Sequence, residues 1–245
     1  MKIALVSTPV RTRDIEFNIC GMINAMEAVA SCADIIVFGE SALQGFDCLS
    51  WNFDVDKDVA VAIPESAIGK VQDAAREYGL AVCFGFIERS DDTLYSSQVF
   101  IGADGEIVNV FRRVSVGWKE FRKTDHHYQE GLHFEKFSYN GTAFAIGLCG
   151  DLWTDGRPEE MKALDADVVL WPVWCDYDPC EWNEIIKFEY AEQAALCGDR
   201  VLLINPYCDD PGVADVAAGG ACYFNNGRII AEIPSGKPAI LMVEI

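Results

Sequence analysis

Short apolar runs alternate along the chain with longer stretches in which apolar residues recur at helical spacing. Continuous or alternating apolar runs predict strands, whereas apolar residues at i, i+3, i+4 and i+7 predict helices that bury one face. The pattern predicts strands at 3–6, 35–38, 81–86, 95–101, 106–112, 134–139, 142–148, 168–172, 201–205, 220–224, 229–233 and 239–244. It predicts helices at 15–30, 66–78, 158–164 and 181–196. Such an alternation is typical of α/β proteins.

Turn signals separate the predicted elements without dividing the chain into parts. Asn140-Gly141 predicts a tight hairpin turn, and Asn226-Gly227 predicts a second one. No low-complexity linker or sharp change of composition interrupts the sequence. We therefore expect one α/β domain over residues 1–245. The predicted strands are too many for one mixed sheet, which favours two stacked sheets with helices outside.

Composition and charge exclude several classes of protein. The 245 residues include 19 Lys and Arg against 39 Asp and Glu, a formal charge of −20, and 51% are hydrophobic. That apolar fraction suits a large buried core and excludes disorder as the dominant state. The sequence has no dense basic stripe for nucleic acid, and an acidic surface gains nothing at an anionic membrane. Its apolar runs are also too short to span a bilayer.

The ten cysteines include no CxxC pair. An even number of cysteines indicates a disulfide framework mainly in short secreted proteins, a class to which this longer chain does not correspond. The apolar stretch at 3–6 is too short for a secretory signal and is better interpreted as a strand. We therefore expect a reducing cytoplasm and mostly free thiols in the core.

Three segments place reactive side chains next to predicted strands. Glu40 follows the strand at 35–38, where desolvation would raise the pKa of a carboxyl group and suit a general base. Cys149 follows the strand at 142–148 between nearby glycines, a turn that would expose a nucleophile. The ordinary alternatives are a strand-end Glu in solvent and a buried core Cys. The segment 112–120 concentrates cations that would stabilise a thiolate, although a solvated charged loop is equally compatible with it.

Several segments resemble one known family. The sequences FGESALQGF (38–46), LCGDLW (148–153), RPE (157–159) and ADVVLWP (166–172) occur in that order. Together with the segments 189–205 and 219–233, they resemble the nitrilase (carbon–nitrogen hydrolase) superfamily. Each match is short, but the ordered series runs from Ile3 to Glu244. The resemblance implies a four-layer α-β-β-α sandwich made of two stacked mixed sheets with helices outside.

The resemblance also implies a catalytic set of Glu, Lys and Cys. Glu40 would be the general base, and Cys149 would be the nucleophile that forms a thioester-type acyl-enzyme. A Lys ammonium and the backbone N–H after Cys149, that of Gly150, would stabilise the oxyanion. The residues Trp174 and Cys175, which follow the strand at 168–172, would line the substrate pocket, although core aromatics are a comparable alternative.

The sequence departs from the family at the lysine. Arg113 occupies the usual position of that Lys, and Glu120 falls where the family has a second Glu. Two interpretations remain open: Lys119 reaches the site from a remodelled loop, which we favour, or Arg113 supplies the positive charge itself. Arg and Lys are not interchangeable, because a planar guanidinium and a compact ammonium place charge differently. A third interpretation is an inactive protein with a broken catalytic set.

The remaining motifs predict no cofactor or metal. No phosphate loop or dinucleotide fingerprint follows a predicted strand. His126 and His127 are adjacent, so on a strand they would point opposite ways, and no third ligand is evident. We therefore expect a surface loop there rather than a metal site.

The resemblance implies an enzyme that cleaves a non-peptide C–N bond of a small amide, carbamoyl compound or nitrile. Amides are favoured because most branches of the family are amidases. The alternatives are acyl transfer to an amine, a catalytically impaired binding protein that keeps the fold, and a redox or metal-binding cysteine protein. The resemblance also implies a homodimer, and neither nucleic acid nor membrane is expected as a partner.

Overall fold

The computed structural model describes residues 1–63, 66–210 and 212–245. Its strands are β1 (Lys2–Ser7), β2 (Pro9–Val10), β3 (Ile35–Phe38), β4 (Ala81–Ser90), β5 (Thr93–Ile101), β6 (Ile107–Arg112), β7 (Lys136–Tyr139), β8 (Thr142–Ile146), β9 (Val168–Pro172), β10 (Arg200–Ile204), β11 (Tyr207–Cys208), β12 (Ala221–Asn225), β13 (Arg228–Ile233) and β14 (Ala239–Glu244). Its helices are α1 (Ile15–Val29), α2 (Phe53–Asp56), α3 (Ser66–Tyr78), α4 (Arg157–Ala163), α5 (Pro179–Glu181) and α6 (Lys187–Cys197), with a π-helical segment (Trp182–Ile186) between the last two.

Two six-stranded mixed sheets contain most of the strands. The first sheet has the order β14-β1-β3-β4-β5-β6, and the second has the order β13-β12-β10-β9-β8-β7. In each sheet three inner strands run parallel, namely β1, β3 and β4 in the first and β8, β9 and β10 in the second. Because parallel strands end at the same edge, residues that follow β8 and β9 are brought together.

Strand residues alternate between two apolar layers. Ile3 and Leu5 of β1 face the core between the sheets, where they join Phe144 and Leu202 of the second sheet. Ala4 and its equivalents on β3 and β4 face the opposite way and pack against α1 and α3. Helices α4 and α6 cover the outer face of the second sheet. The resulting order is α-β-β-α, and it confirms the predicted sandwich.

Local sequence explains where the elements begin and end. Asp14 caps α1 by accepting a hydrogen bond from the backbone N–H of Phe17 at 3.1 Å. Gly79 ends α3 with a φ of +59°, which glycine adopts without steric cost. Asn140 and Gly141 have φ values of +48° and +79°, the left-handed pair that a tight β7–β8 hairpin turn requires.

Three differences between the structure and the predicted elements have a plain physical reason. The β4–β5 hairpin extends through Ser90 and Thr93, because backbone pairing continues after the apolar run has ended. The helix predicted at 181–196 is interrupted by the π-helical segment. The short parallel pair of β2 and β11 was not predicted, since two residues carry no periodicity. Within the residues that the structure describes, no helix is both long enough and apolar enough to cross a bilayer.

Candidate active site

Glu40 lies directly beyond β3 and is completely buried. Its Oε1 accepts hydrogen bonds from Nη1 of Arg113 at 2.7 Å and from Oγ of Ser96 at 3.2 Å. Its Oε2 is buried and has no hydrogen-bond partner among the described residues. One carboxylate oxygen is therefore held in place, while the other is available to accept a proton.

Arg113 follows β6 and is only 3% exposed. Besides Glu40, its guanidinium donates from Nε to Oγ of Ser115 at 2.9 Å and lies 3.9 Å from Oδ1 of Asp151. Burial disfavours the charged form, but attraction to Glu40, Cys149 and Asp151 outweighs burial and raises the pKa of Arg113. The group is thus a permanent positive charge inside the protein.

Cys149 begins a 3₁₀ turn (Cys149–Trp153) beyond β8. Its φ of +45° is a left-handed conformation that non-glycine residues adopt at a cost, and such strain is common at functional sites. Its Sγ lies 3.7 Å from the carbonyl oxygen of Trp174, and its own carbonyl accepts a hydrogen bond from Nε1 of Trp171 at 2.9 Å. The next residue is Gly150, where a Cβ would lie 2.8 Å from Nη2 of Arg113. The lack of a side chain at 150 thus lets the guanidinium approach the thiol turn.

Asp151 connects this turn to the loop after β6. It is fully buried, and it accepts backbone hydrogen bonds from Leu148 at 2.9 Å, Val114 at 3.0 Å and Ser115 at 2.7 Å. Burial raises the pKa of Asp151 to about 6, although Arg113 and these hydrogen bonds favour the charged form. The carboxylate therefore fixes the nucleophile turn relative to the arginine.

Replacing Asp151 with Asn should change how stability depends on pH. A folded-state pKa raised from 3.8 to about 6 gives the folded state more bound protons in that range. The contribution of Asp151 to stability is therefore complete below pH 4 and is lost as the pH rises through 6, by about 2–3 kcal/mol. In urea unfolding between pH 4 and 7, the stability difference between wild type and the variant should shrink as pH rises.

The exposed neighbour Asp155 offers the matched control for this titration. The Asp155→Asn variant should follow the wild-type stability curve over the whole pH range, because that side chain is solvent-exposed. A stability difference for Asp151→Asn that grows with pH would show that hydrogen bonds to the carboxylate outweigh its burial.

The other two charged candidates lie elsewhere. Nζ of Lys119 lies 2.6 Å from Oε1 of Glu130 and donates to the carbonyl oxygen of Tyr128 at 2.8 Å. The structure therefore does not bring Lys119, which the sequence favoured, to Glu40; it places Arg113 there. Glu120 is exposed, and no hydrogen bond or ion pair described for the buried cluster involves its side chain.

Cys149 lines a cavity of about 400 Å³. Gly150, Trp174 and Cys175, the predicted substrate-binding residues, all line it. The other lining residues are Trp153, Asp176, Tyr177, Glu189 and Tyr190. A larger cavity of about 690 Å³ lies near Arg112 and His133, but its described lining contains neither Cys nor Ser. The smaller cavity is therefore the better candidate for the active site.

The structure separates Cys149 from the other cysteines. All ten are free, and six are buried: Cys48, Cys83, Cys175, Cys197, Cys208 and Cys222. Burial raises the pKa values of Cys48, Cys83, Cys197 and Cys222 to about 12. The expectation of a core position was wrong for Cys20, Cys32 and Cys180, which are exposed, because they lie on outward-facing helix or loop positions.

The histidine pair does have a neighbouring third ligand, contrary to the expectation from sequence. His126 and His127 lie in a turn rather than a strand, with ring centroids 4.0 Å apart, and ligand atoms of both lie within 4.8 Å of one on Asp125. Nδ1 of His127 already contacts Oδ1 of Asp125 at 2.8 Å, and the ring stacks on Phe53 at 3.8 Å. These contacts with Asp125 and Phe53 therefore give His127 a structural role in the packing of this turn.

Sequence reasoning missed three residues that organise the site. Ser96 lies in the middle of β5, and no local pattern marks it as a partner of Glu40. Asp151 belongs to the LCGDLW segment, so its position was visible but its contacts were not. Asn205 follows β10 and binds both backbone groups of Cys175, at 3.0 and 2.9 Å. The only sequence feature that marked Asn205 was its position at the end of a buried strand, where polar groups need hydrogen-bond partners.

The arrangement suits nucleophilic attack on a polarised carbon. A strained thiol beside a cavity, a carboxylate oxygen without a partner and a buried cation are the parts that covalent acyl chemistry requires. The thiol comes from the second sheet, whereas the carboxylate and cation come from the first, so the site lies where the two sheets meet.

Comparisons with known proteins show which proteins the chain is similar to. Residues 2–192 match the model of the carbon-nitrogen hydrolase family. An arylacetonitrilase from Hypocrea virens is 39% identical over 94 residues, which cover 36% of this chain and 28% of the relative. An (R)-stereoselective amidase from a Pseudomonas species is 26% identical over 170 residues, covering 69% of this chain and 59% of the relative. The chain thus spans less than two thirds of the length of these two relatives.

Solved structures show the same fold. A variant of the Nesterenkonia AN1 amidase, from the nitrilase superfamily, superimposes with a TM-score of 0.80 at 17% identity, covering 100% of this chain and 90% of that one. An amidase structure from the same organism, with the active-site cysteine modified by acrylamide, gives a TM-score of 0.79 at 18% identity, with coverage of 100% and 93%. At these identities the likeness establishes the four-layer fold.

Proposed function

Because the chain belongs to the carbon-nitrogen hydrolase family, we propose that it hydrolyses a non-peptide C–N bond of a small amide, carbamoyl compound or nitrile. Small amides are the first choice, with Cys149 as nucleophile. The observation that carries the proposal is the buried Glu40–Arg113 pair beside the strained cysteine turn, at 2.7 Å between Oε1 and Nη1. A buried ion pair is costly to desolvate, and perturbed charges of this kind are concentrated at functional sites.

The proposed reaction has two steps. Glu40 takes the thiol proton through Oε2, and the sulfur of Cys149 attacks the amide carbon to give a tetrahedral oxyanion. Arg113 and the backbone N–H of Gly150 stabilise that charge. The C–N bond breaks, Glu40 returns the proton to the departing amine, and a thioester remains. Water, deprotonated by Glu40, then releases the acid and restores the thiol.

Arg113 takes the cationic role that the sequence first suggested for Lys119. Its guanidinium lies against Gly150 and bonds to Glu40, whereas Lys119 has Glu130 and Tyr128 as partners. A guanidinium cannot release its proton at ordinary pH, so we assign Arg113 to charge stabilisation and leave all proton transfer to Glu40.

An ammonia-release screen over small amides, ureido acids and nitriles tests the activity directly. Mass spectrometry under acid quench should show an acyl group on the peptide that carries Cys149, because the thioester forms before water attacks. Added hydroxylamine that diverts product to a hydroxamate would favour the acyl-transfer alternative. If no substrate releases ammonia and no adduct forms, the catalytically impaired binding protein is the correct interpretation.

The cavity should discriminate substrates by charge. The carboxylates of Asp176 and Glu189 line it beside the aromatic rings of Trp153 and Tyr177, and aromatic faces with carboxylates attract ammonium groups. We expect kcat/KM for an amide with a remote ammonium group to exceed that of the isosteric carboxylate by about tenfold or more. Steady-state kinetics at low ionic strength on a size-matched series measures this preference.

Glu192 provides the control for the charge preference. It is exposed on the same helix as Glu189 but does not line the cavity. Glu189→Gln should reduce the preference mainly through KM, whereas Glu192→Gln should leave it unchanged. An equal effect of both variants would mean that the overall charge of −20, rather than the cavity, selects the substrate.

We also propose that the chain forms a homodimer in a reducing cytoplasm. Ile185 of the π-helical segment and Phe188 of α6, three positions apart, are 55% and 54% exposed, and exposed apolar positions of this kind favour association. Light scattering should give twice the 27.1 kDa chain mass, and Ile185→Asp with Phe188→Asp should give the chain mass itself. A wild-type mass of one chain would contradict the dimer. The ten free thiols support the reducing compartment.

A further inference from the structure

A second thiol lies against the nucleophile. Cys175 follows β9 and lines the same cavity as Cys149, and the neighbouring Cys149 is the largest cause of the raised pKa of Cys175. Cys149 in turn points its sulfur at the carbonyl oxygen of Trp174, the residue before Cys175, at 3.7 Å. The reaction proposed above uses only one of these two sulfur atoms.

Hydrogen bonds to neighbouring residues hold Cys175 in place. Its backbone N–H donates to Oδ1 of Asn205 at 3.0 Å, and its carbonyl accepts from Nδ2 at 2.9 Å. Its Sγ lies 3.1 Å from Oη of Tyr190, whose ring stacks on Trp171 at 5.1 Å. Interaction with the Cys149 side chain, together with burial, keeps the pKa of Cys175 well above its usual value.

The two thiols therefore differ in access and in role. Cys149 is half-buried where it lines the cavity, whereas Cys175 is only 6% exposed. An oxidant that enters the cavity meets Cys149 first. The product at that sulfur then has a second thiol in the lining of the same cavity, which is the arrangement of a peroxidatic and a resolving cysteine.

We propose that Cys175 is the resolving thiol for Cys149 and that a peroxide closes the pair into a reversible disulfide. In the first step the Cys149 sulfur takes one oxygen from hydrogen peroxide, giving a sulfenic acid and one water. In the second step the Cys175 sulfur attacks the Cys149 sulfur, the S–O bond breaks, and the hydroxyl leaves as water with the Cys175 proton. The thiols lose two electrons in total, which the peroxide accepts. A dithiol such as dithiothreitol reverses the bond by exchange.

The consequence of the disulfide is protection of the nucleophile. Without a nearby thiol, a sulfenic acid is oxidised further to sulfinic and sulfonic acids, which dithiols do not reduce. With Cys175 in the same cavity lining, the disulfide stores Cys149 in an inactive but recoverable form. The proposal needs Cys149 to react with peroxide, but it does not need the chain to hydrolyse any amide.

Peptide mapping tests the proposal. The exposed cysteines are first replaced by Ser in one background variant, Cys20→Ser, Cys32→Ser and Cys180→Ser, so that they do not consume oxidant. After peroxide treatment the remaining thiols are blocked with iodoacetamide, and the chain is unfolded and digested with trypsin. Cys149 and Cys175 then fall on separate peptides, 137–162 and 163–187, each with a single cysteine. We expect these two peptides to be linked, with a mass two hydrogens below their sum, and to separate after dithiothreitol.

Variants at position 175 distinguish resolution from accidental oxidation. In Cys175→Ala and Cys175→Ser we expect Cys149 to accumulate as sulfinic and sulfonic acid, which dithiothreitol does not reverse. The matched control is Cys197→Ala, a buried thiol on α6, which should still form the 149–175 link. Comparable circular dichroism spectra verify that each variant is folded.

Two results would overturn the proposal. One is a wild-type Cys149 that becomes sulfinic acid while Cys175 remains fully alkylated after unfolding. The other is a Cys175→Ala variant whose Cys149 recovers under dithiothreitol as well as the background protein does. Both readouts are masses of peptides, so they remain decisive if no amide substrate is found. Conversely, absence of the link leaves the ammonia-release test of the hydrolase activity unaffected.

Discussion

Replacing Arg113 with Met should destabilise the protein by about 3–5 kcal/mol and remove its amide turnover. The guanidinium is the partner of Glu40 and lies 3.9 Å from Asp151, and both carboxylates are fully buried. Removing it leaves two buried negative charges without compensation, which is the costly way to break a buried pair. It also removes the charge that stabilises the oxyanion, a loss of about 10²- to 10³-fold in kcat. Chemical unfolding and single-turnover acylation measure the two effects.

Arg113→Lys and Lys119→Met separate the two candidate cations. The Lys variant keeps the charge and should fold, but an ammonium cannot reach Ser115 and Glu40 with the same planar geometry, so acylation should be slower than in wild type. Lys119→Met loses a mostly buried ion pair with Glu130 and a hydrogen bond to Tyr128, and it should acylate at the wild-type rate. If Lys119→Met abolished acylation while Arg113→Lys did not, the assignment of Arg113 would be wrong.

Cys149→Ala should form no acyl adduct and release no ammonia, and Glu40→Gln should lower kcat by about 10²- to 10⁴-fold. The first variant removes the atom that attacks the substrate. The second keeps the shape and the contacts of Oε1 but removes the base, and general base catalysis contributes roughly that factor. Rapid-quench mass spectrometry of the adduct, with ammonia release in parallel, measures both variants.

The same two residues should behave as a unit. The double variant Glu40→Gln with Cys149→Ala should be no less active than Cys149→Ala alone, because the base acts only through the nucleophile. Cys180→Ala, an exposed thiol, is the control and should leave turnover unchanged. Turnover in Cys149→Ala at a substantial fraction of the wild-type rate would contradict covalent catalysis at this residue.

The strands and helices that the sequence predicts best are those in which one physical signal dominates. The strands Ile35–Phe38 and Val168–Pro172 have the predicted limits, because continuous apolar runs are buried on both faces. Helix α3 also has its predicted limits, because Gly79 ends it. The length of the β4–β5 hairpin was underestimated, since Glu88, which pairs with Tyr95, is a polar residue outside the apolar run.

The candidate site was only partly predictable for a related reason. Glu40 and Cys149 are marked by their positions immediately after buried strands, which is information that lies within a few residues. The choice between Arg113 and Lys119 depends on the backbone path of the loop after β6, where Asp151 accepts hydrogen bonds from Val114 and Ser115 across 37 and 36 residues of sequence. Contacts between distant segments leave no local pattern, so the sequence alone could not show that Arg113 rather than Lys119 lies beside Glu40.

The division of the site between the two sheets makes the chain suited to fragment complementation. Glu40 and Arg113 come from the segment that builds most of the first sheet, and Cys149 comes from the segment that builds the second. The connecting stretch includes Phe121, which is 84% exposed, so a cut there separates nucleophile from base without disturbing the core. Strand β14, near the end of the chain, pairs with β1 at its start and would join the fragments again. The reactivity of the Cys149 thiol, measured by covalent labelling, should then return when the two fragments have reassembled.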